Sequence, residues 1–191
     1  DFSRIAAFFR YSPRVGSLAA LIEDIDTRAS DVGAEIFVDA GVNANEVRID
    51  LDDNIPRSTT DVEIAPHFAF GVRRAVTAHS DVGARIELDE IDGHTLLSAR
   101  AVDYRYRFDG PLALTGFLGA ARYDLATPAY GLYLGLGAQL RNVVPHWDIG
   151  LDLRYAVKVA RDDLLASDPL GGRPDSFYDI ASTTLYVTRR F

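Results

Sequence analysis

The sequence lacks cysteine and methionine, and Lys158 is its only lysine. Without cysteine, the chain can form neither a disulfide framework nor a thiolate metal site. Because an initiator methionine is missing, we expect a processed or excised chain, in which a signal peptide is not visible. An excess of basic charge is missing too, since the formal net charge is −8. That charge argues against nucleic acid as a partner, because phosphates bind to basic surfaces.

Long apolar runs are also absent. No stretch approaches the roughly 20 apolar residues that a membrane-spanning helix needs. The mean hydropathy is close to zero, which suits an ordinary globular protein. It also suits a membrane barrel, in which apolar residues occupy only alternate positions of each strand.

From residue 31 onward, the chain alternates between apolar and polar residues with a period of two, which indicates β-strands. The alternation is clearest over 147–159 and recurs over 62–73, 81–89, 97–108 and 130–141, with a less regular segment at 111–123. In 147–159, one face carries Trp147, Ile149, Leu151, Leu153, Tyr155, Val157 and Val159, and the other carries Asp148, Gly150, Asp152, Arg154, Ala156 and Lys158.

A soluble antiparallel sandwich is the alternative to a membrane barrel for such strands. Apolar faces of nine or more residues are long for a sandwich strand and suit a tilted membrane strand. The polar faces combine arginine, aspartate and glutamate with glycine, as a narrow lumen of paired charges requires. The sequence therefore predicts an all-β fold, a closed antiparallel up-and-down transmembrane β-barrel that forms one domain over 1–191.

The predicted links between strands alternate in length. Those at 53–60, 90–94, 124–128 and 160–176 are the longer ones, and those at 75–79, 109–110 and 142–145 are short. Outer-membrane barrels have short periplasmic turns and longer outward loops. The alternation therefore predicts that the C-terminal end of the chain lies on the periplasmic side.

The number of strands depends on the region before residue 61. Segments 32–41 and 46–52 alternate, with 42–45 as a predicted tight turn, and they bring the count to nine. Because single-chain barrels have even counts, residues 1–27 would supply a tenth strand, and ten is the favoured number. In the alternative of eight strands, 42–60 is an outward loop and 1–29 is an additional element. An amphipathic helix would explain that element, since Leu18, Leu21, Ile22 and Ile25 have helical spacing.

The last strand ends on Phe191, and the glycine-rich stretch Gly-Leu-Tyr-Leu-Gly-Leu-Gly occupies 131–137. With its aromatic-ended apolar strands, the chain resembles a small bacterial outer-membrane β-barrel of the OmpA/OmpX-like type over most of 31–191. Arg189 departs from that pattern, which usually has an apolar or aromatic residue there; an arginine near the interface can snorkel.

The resemblance implies location in the outer membrane of a Gram-negative bacterium. It also implies contact with outer-membrane lipid and lipopolysaccharide, and recognition of the strand ending at Phe191 by the barrel-insertion machinery. An envelope protein is a further possible partner. The predicted membrane-interface aromatics are Tyr104, Tyr106, Phe108, Tyr130, Trp147, Tyr155 and Phe191.

The polar faces are expected to form a network in the lumen. Its predicted members are Glu63, His67, Arg73, Arg85, Glu87, Asp103, Arg105, Arg107, Asp148, Asp152, Arg154 and Lys158; Glu35 and Asp39 share the inward face. His67 is interpreted as a member of this network, with a proton-linked gate or a buried base as the alternative.

Little in the sequence indicates catalysis. His94 and Asp92 lie in a predicted outward loop with Asp89 and Glu90, and they are weak candidates for a catalytic site. Asp162, Asp163, Asp168 and Asp175 fit a solvated acidic loop better than a cation site, because their spacing is not that of an EF-hand. We therefore predict no cofactor and no metal.

The sequence thus favours a non-enzymatic outer-membrane barrel with a structural role, a narrow solute path, or a place as the membrane subunit of an envelope complex. One alternative is an outer-membrane hydrolase or lipid-modifying enzyme with its site at the extracellular mouth. The other is a soluble lipocalin-like ligand-binding barrel.

Overall fold

A computed structural model describes residues 33–50, 58–125, 127–162 and 176–191. Eight long strands follow one another along the chain. They are β1 (Glu35–Asp50), β2 (Glu63–Ala75), β3 (Ser80–Ile91), β4 (His94–Arg107), β5 (Leu112–Tyr123), β6 (Tyr130–Val144), β7 (Trp147–Asp162) and β8 (Ser176–Arg190). Two-residue strands at Ser58–Thr59 and Thr127–Pro128 extend the pairing of β1 and β7. Among the described residues, none forms a helix that is long and apolar enough to cross a membrane.

The sheet closes on itself. Each strand pairs antiparallel with its neighbours in sequence, and β8 pairs with both β7 and β1. Leu185 of β8, for example, lies opposite Leu151 on one side and Val42 on the other. The predicted closed antiparallel up-and-down barrel is therefore confirmed, and the alternative of eight strands is confirmed with it.

The favoured count of ten is corrected, because β1 is one continuous strand where two were expected. Asn43 pairs with Thr184 on one side and Ala65 on the other, so 42–45 is not a turn. Asn43 and Asn45 are buried in the lumen, where Asn45 Nδ2 donates a hydrogen bond of 2.8 Å to Asn43 Oδ1. A turn was expected because asparagine is common in turns. In the structure, these two side-chain amides form their hydrogen bond inside the barrel. The tenth strand or helix expected in 1–29 lies outside the described residues.

The links follow the expected alternation with one exception. We call the barrel end with residues 76–79, 108–111 and 145–146 the Phe191 mouth, since Phe191 also lies there. The other end, the opposite mouth, has links at 51–62, 92–93, 124–129 and 163–175. The exception is the two-residue turn at Asp92 and Gly93, whose positive φ angles of 49° and 71° make it tighter than expected.

The burial pattern separates the two faces of every strand. Large hydrophobic side chains point outward and are exposed on all eight strands. Examples from β1 to β8 are Val38, Ile64, Ile86, Val102, Leu114, Leu136, Leu153 and Leu185. Most of the buried charged side chains point inward. The polarity is thus the reverse of a soluble barrel, whose apolar residues face inward.

Candidate functional site

The lumen collects most of the charged side chains that the sequence analysis placed there. Nine of the twelve predicted members of the network are buried. They are His67, Arg73, Arg85, Glu87, Asp103, Arg105, Asp148, Asp152 and Arg154. The alternation of each strand brings them together, because every second side chain of a barrel strand points to the axis.

The other three members lie elsewhere. Arg107 is at the Phe191 mouth, with its side chain 22% exposed and an ion pair of 3.2 Å to Asp81. Glu63 is exposed at the opposite mouth, where it accepts a hydrogen bond of 2.9 Å from the backbone N–H of Asp92. Lys158 is exposed with a positive φ of 55°.

The inward placement of Lys158 is corrected, and a β-bulge is the physical reason. Ala156 pairs with Ile180, but Ala160 pairs with Tyr178, so three residues of β7 face one residue of β8. Within the bulge the strict alternation of the strand is lost. Lys158, with its positive φ, is exposed, while Val159 and Ala160 are both buried.

A cluster of ion pairs fills the centre of the lumen. Arg100 on β4 reaches across the axis to Asp152 on β7 at 2.6 Å, and to Glu87 on β3 at 2.5 Å. Its guanidinium lies 3.4 Å from the centre of the Phe117 ring. Because charges out of bulk water require partners, this arrangement holds strands together from inside the barrel.

A second group lies next to this cluster, towards the opposite mouth. The His67 ring nitrogen Nδ1 is 2.6 Å from Asp89, which also binds Arg154 from the far side of the lumen at 2.9 Å. The Tyr133 hydroxyl donates to Glu87. His67 is fully buried, so it belongs geometrically to a network of partnered groups. Asp89, expected in the outward loop, is inside the barrel.

The predicted network did not include several buried lumen residues, among them Arg100, Tyr133, Tyr186 and Gln139. Arg100 was missed because the register shifts between Arg100 and Val102. The available signal was the change of phase of the apolar alternation between Leu97 and Val102, both of which face outward.

At the Phe191 mouth, charged side chains line a cavity of about 380 Å³. Arg105 binds Asp81 at 2.7 Å and Glu35 at 3.1 Å. Arg190 binds Asp148 at 3.0 Å. The sides of this cavity are therefore formed by arginines and carboxylates that reach in from several strands.

The opposite mouth is apolar inside. Ile91, Leu96 and Tyr123 belong to a buried hydrophobic cluster at this end. Above it lies a cavity of about 500 Å³, lined by aliphatic and aromatic side chains together with Asp61, Glu63 and Asp92. The lumen thus changes from charged to apolar along its axis.

The weak catalytic candidates do not form a catalytic pair with each other. The ring of His94 is 2.7 Å from the backbone carbonyl of Asp124 and lies edge-on to Tyr123. Asp92 occupies the tight turn, and its N–H donates to Glu63. In the described parts of the chain, no group of three histidine, cysteine or acidic residues is placed to hold a metal ion. The acidic side chains of Asp162, Asp163, Asp168 and Asp175 lie outside the described residues.

The predicted interface aromatics lie on the outer face towards the two ends of the barrel. Tyr104, Tyr106, Phe108 and Trp147 are exposed near the Phe191 mouth, and Tyr130 is exposed at the opposite mouth. The hydroxyl of Tyr155, nearer the opposite mouth, donates to Asp179 at 3.0 Å. The guanidinium of Arg189, the residue that departs from the resemblance, lies 5.8 Å from the Trp147 ring centre and 5.1 Å from that of Phe191.

Comparisons with known proteins yield structural similarity only. No protein-family model and no curated protein matches the sequence. The solved structures that resemble it include Ail, the attachment invasion locus protein of Yersinia pestis, with 15% identity and a TM-score of 0.49, covering 83% of this chain and 99% of that one. The outer membrane protein OprG of Pseudomonas aeruginosa has 12% identity, a TM-score of 0.47 and coverages of 83% and 96%. Neisserial surface protein A has 15% identity, a TM-score of 0.42 and coverages of 83% and 97%.

Proposed function

We propose that this protein is an integral outer-membrane β-barrel with a closed, non-conducting lumen and a structural role in the envelope. One observation carries the proposal. Large apolar side chains face outward on all eight strands, while fully buried ion pairs occupy the inside. Water does not solvate such an outer surface, whereas lipid does. This inverted polarity counts against the soluble lipocalin-like alternative.

The proposed orientation places the Phe191 mouth in the periplasm and the opposite mouth outside the cell. The turns at the Phe191 mouth are short, and three of the four links at the opposite mouth are longer. Outer-membrane lipid and lipopolysaccharide would then surround the apolar belt. The strand ending at Phe191 would be the segment that the insertion machinery binds, and an envelope protein would dock at either mouth.

The closed lumen is proposed from the bonds that cross it. Arg100 joins β4 to β7, and Arg154 joins β7 to β3. Arg85 reaches Asp39 of β1 from β3 at 2.8 Å. All these side chains are at most 4% exposed. An eight-stranded barrel has an interior just wide enough for its own side chains, so a solute path would require several of these bonds to break.

Two measurements test the proposal. We expect the protein to require detergent, and a monodisperse preparation in plain buffer would disprove membrane insertion. In planar bilayers we expect no conductance steps from the unmodified chain. An Arg85→Gly/Arg100→Gly variant, which removes two central side chains, should conduct and serves as the positive control, with heat-modifiable migration as the check that it folds. Regular steps from the unmodified chain would disprove the closed lumen.

An enzymatic role has less support. His94 makes a local contact with a backbone carbonyl, and no hydroxyl or thiol nucleophile in the described residues is hydrogen-bonded to it. The non-enzymatic role predicts that His94→Ala leaves the behaviour of the protein in membranes unchanged. Loss of a lipid or peptide hydrolysis activity in this variant would reverse that conclusion.

A further inference from the structure

The Phe191 mouth carries more positive charge than its own carboxylates balance. Five arginines and four carboxylates surround it. The arginines are Arg73, Arg105, Arg107, Arg141 and Arg190, and the carboxylates are Glu35, Asp81, Asp103 and Asp148. This local excess of one positive charge contrasts with the net charge of −8 for the chain.

Arg141 is the side chain that shows the imbalance most clearly. It points inward near the end of β6, close to Arg105, Arg107 and Arg190, with Asp148 as the nearby carboxylate. Its Nε is buried and has no hydrogen-bond partner within the described ranges. Like charges at close range repel, and an unpartnered buried donor costs stability. Within the described residues, Arg141 forms no ion pair, and Asp148 is the carboxylate that acts on it from a distance.

Other donors without a partner belong to residues that line the cavity at the Phe191 mouth. Nη1 of Arg105 and Nε of Arg107 are buried, without hydrogen-bond partners in the described segments. Arg105 is 2% exposed, and both residues line the cavity of about 380 Å³. The mouth therefore offers buried guanidinium N–H groups next to a space that admits a small molecule.

We propose that the Phe191 mouth binds a phosphate group, with Arg107 and Arg141 as principal ligands and Arg105 behind them. Guanidinium groups bind phosphate oxygens through charge-assisted, often paired hydrogen bonds. The phosphate would belong to a soluble phosphate ester or to a lipid headgroup, which present the same chemistry. One part of this inference rests on the proposed function, namely that the phosphate enters from the periplasm.

Binding is tested on the full chain in neutral detergent by isothermal titration with inorganic phosphate and with glycerol 3-phosphate. We expect saturable binding of one phosphate per chain. Arg141→Gln and Arg107→Gln should each weaken it about tenfold or more, the usual value of a charge-assisted hydrogen bond. Arg122→Gln is the matched control, since Arg122 lies at the opposite mouth with its side chain 40% exposed. The affinity of the Arg122→Gln variant for phosphate should equal that of the unmodified chain.

Stability distinguishes a binding role of Arg141 from a structural one. Because Arg141 has no ion-pair partner among the described residues, Arg141→Gln should leave the midpoint of urea unfolding unchanged or raise it while phosphate binding weakens. A variant that loses stability and binding together would contradict the proposal. Arg141→Lys, which keeps the charge and loses the planar donor group, should retain part of the affinity.

An experiment in lipid vesicles distinguishes the two sources of phosphate, a soluble ester and a lipid headgroup. The protein is reconstituted in vesicles of phosphatidylcholine, with or without phosphatidylglycerol. If phosphatidylglycerol alone abolishes binding of soluble phosphate, the headgroup occupies the mouth. If soluble phosphate binds equally in both, the ligand is a solute. Absence of saturable binding in detergent, or equal weakening by Arg122→Gln, would overturn the proposal. Neither result would bear on membrane insertion, which detergent dependence tests separately.

Discussion

Replacing Arg100 with leucine is the most direct perturbation of the closed lumen. Arg100 is 1% exposed and lies within 2.6 Å of both Glu87 and Asp152, which are themselves fully buried. Arg100→Leu leaves these two carboxylates in the lumen with fewer cations. Glu87 keeps the Tyr133 hydroxyl and two arginines at 3.7–3.8 Å, Arg154 and Arg85. Asp152 keeps the Tyr186 hydroxyl at 3.1 Å and Arg85 at 4.0 Å. The remaining arginines are thus more than 1 Å farther away than Arg100.

The expected loss in unfolding free energy is about 3–5 kcal/mol, the usual cost of removing one partner from a buried ion pair. Arg122→Leu is the control, because its ion pair with Asp124 is 3.8 Å long and well exposed. Exposed pairs contribute about 0–1 kcal/mol. Urea unfolding in detergent or vesicles measures the loss in both variants, and the fluorescence of Trp147, the only tryptophan, reports the unfolding.

A second substitution tests whether the loss of unfolding free energy comes from the carboxylate that no longer has Arg100 as a partner. Asp152→Asn in the Arg100→Leu background removes one uncompensated charge. The double variant should therefore be more stable than the sum of the single effects by about 1–3 kcal/mol, the range observed for contacting residues. If Arg100→Leu costs no more than Arg122→Leu, the lumen is hydrated and the bonds across it do not close it, which would refute the reasoning.

Two further substitutions test the outer belt and the interior packing with the same unfolding assay. Leu151→Arg, midway between the aromatic residues Trp147 and Tyr155 of β7, should cost about 2–4 kcal/mol if lipid covers it, and Val144→Arg, at the rim, about 0–1 kcal/mol; equal costs would argue against a membrane belt. Gly150→Ala should cost about 1–3 kcal/mol because its Cβ would lie 2.3 Å from the Tyr186 ring. Gly110→Ala meets nothing within 4 Å and should be neutral; a neutral Gly150→Ala would show that the interior is loosely packed.

The alternation of apolar and charged residues was sufficient to predict the barrel and most of its lumen. Arg85, Glu87 and Asp152, for instance, are placed by strand parity alone, because a two-residue period leaves no other direction for them. Parity fails wherever an additional residue enters a strand. The bulge near Arg100 concealed a cation that binds Glu87 and Asp152 at the centre of the lumen, and the one near Lys158 turned a predicted lumen residue outward.

The strand count could not be predicted, because residue type indicates turns only where water can reach them. Asn43 and Asn45 are typical turn residues, yet their amides are buried in β1. In a barrel with a polar interior, the tendency of asparagine to form hydrogen bonds is satisfied by other lumen groups, such as Ser182, which donates to Asn45 at 2.6 Å. A rule derived from soluble proteins therefore divided one strand into two.

The glycines of 131–137 connect the sequence pattern to the closed lumen. A Cβ at Gly135 would come within 2.3 Å of the Phe117 ring, and one at Gly137 within 1.9 Å of a carboxylate oxygen of Asp152. These glycines leave space for the bulky and charged groups of neighbouring strands, as alternating small and large residues do in small barrels. The pattern that suggested a membrane barrel is thus also the one that allows Phe117 and Asp152 to meet Arg100 at the axis. Substituting either glycine with a larger residue would displace these groups, so the lumen depends on the smallest side chains of β6 as much as on its charges.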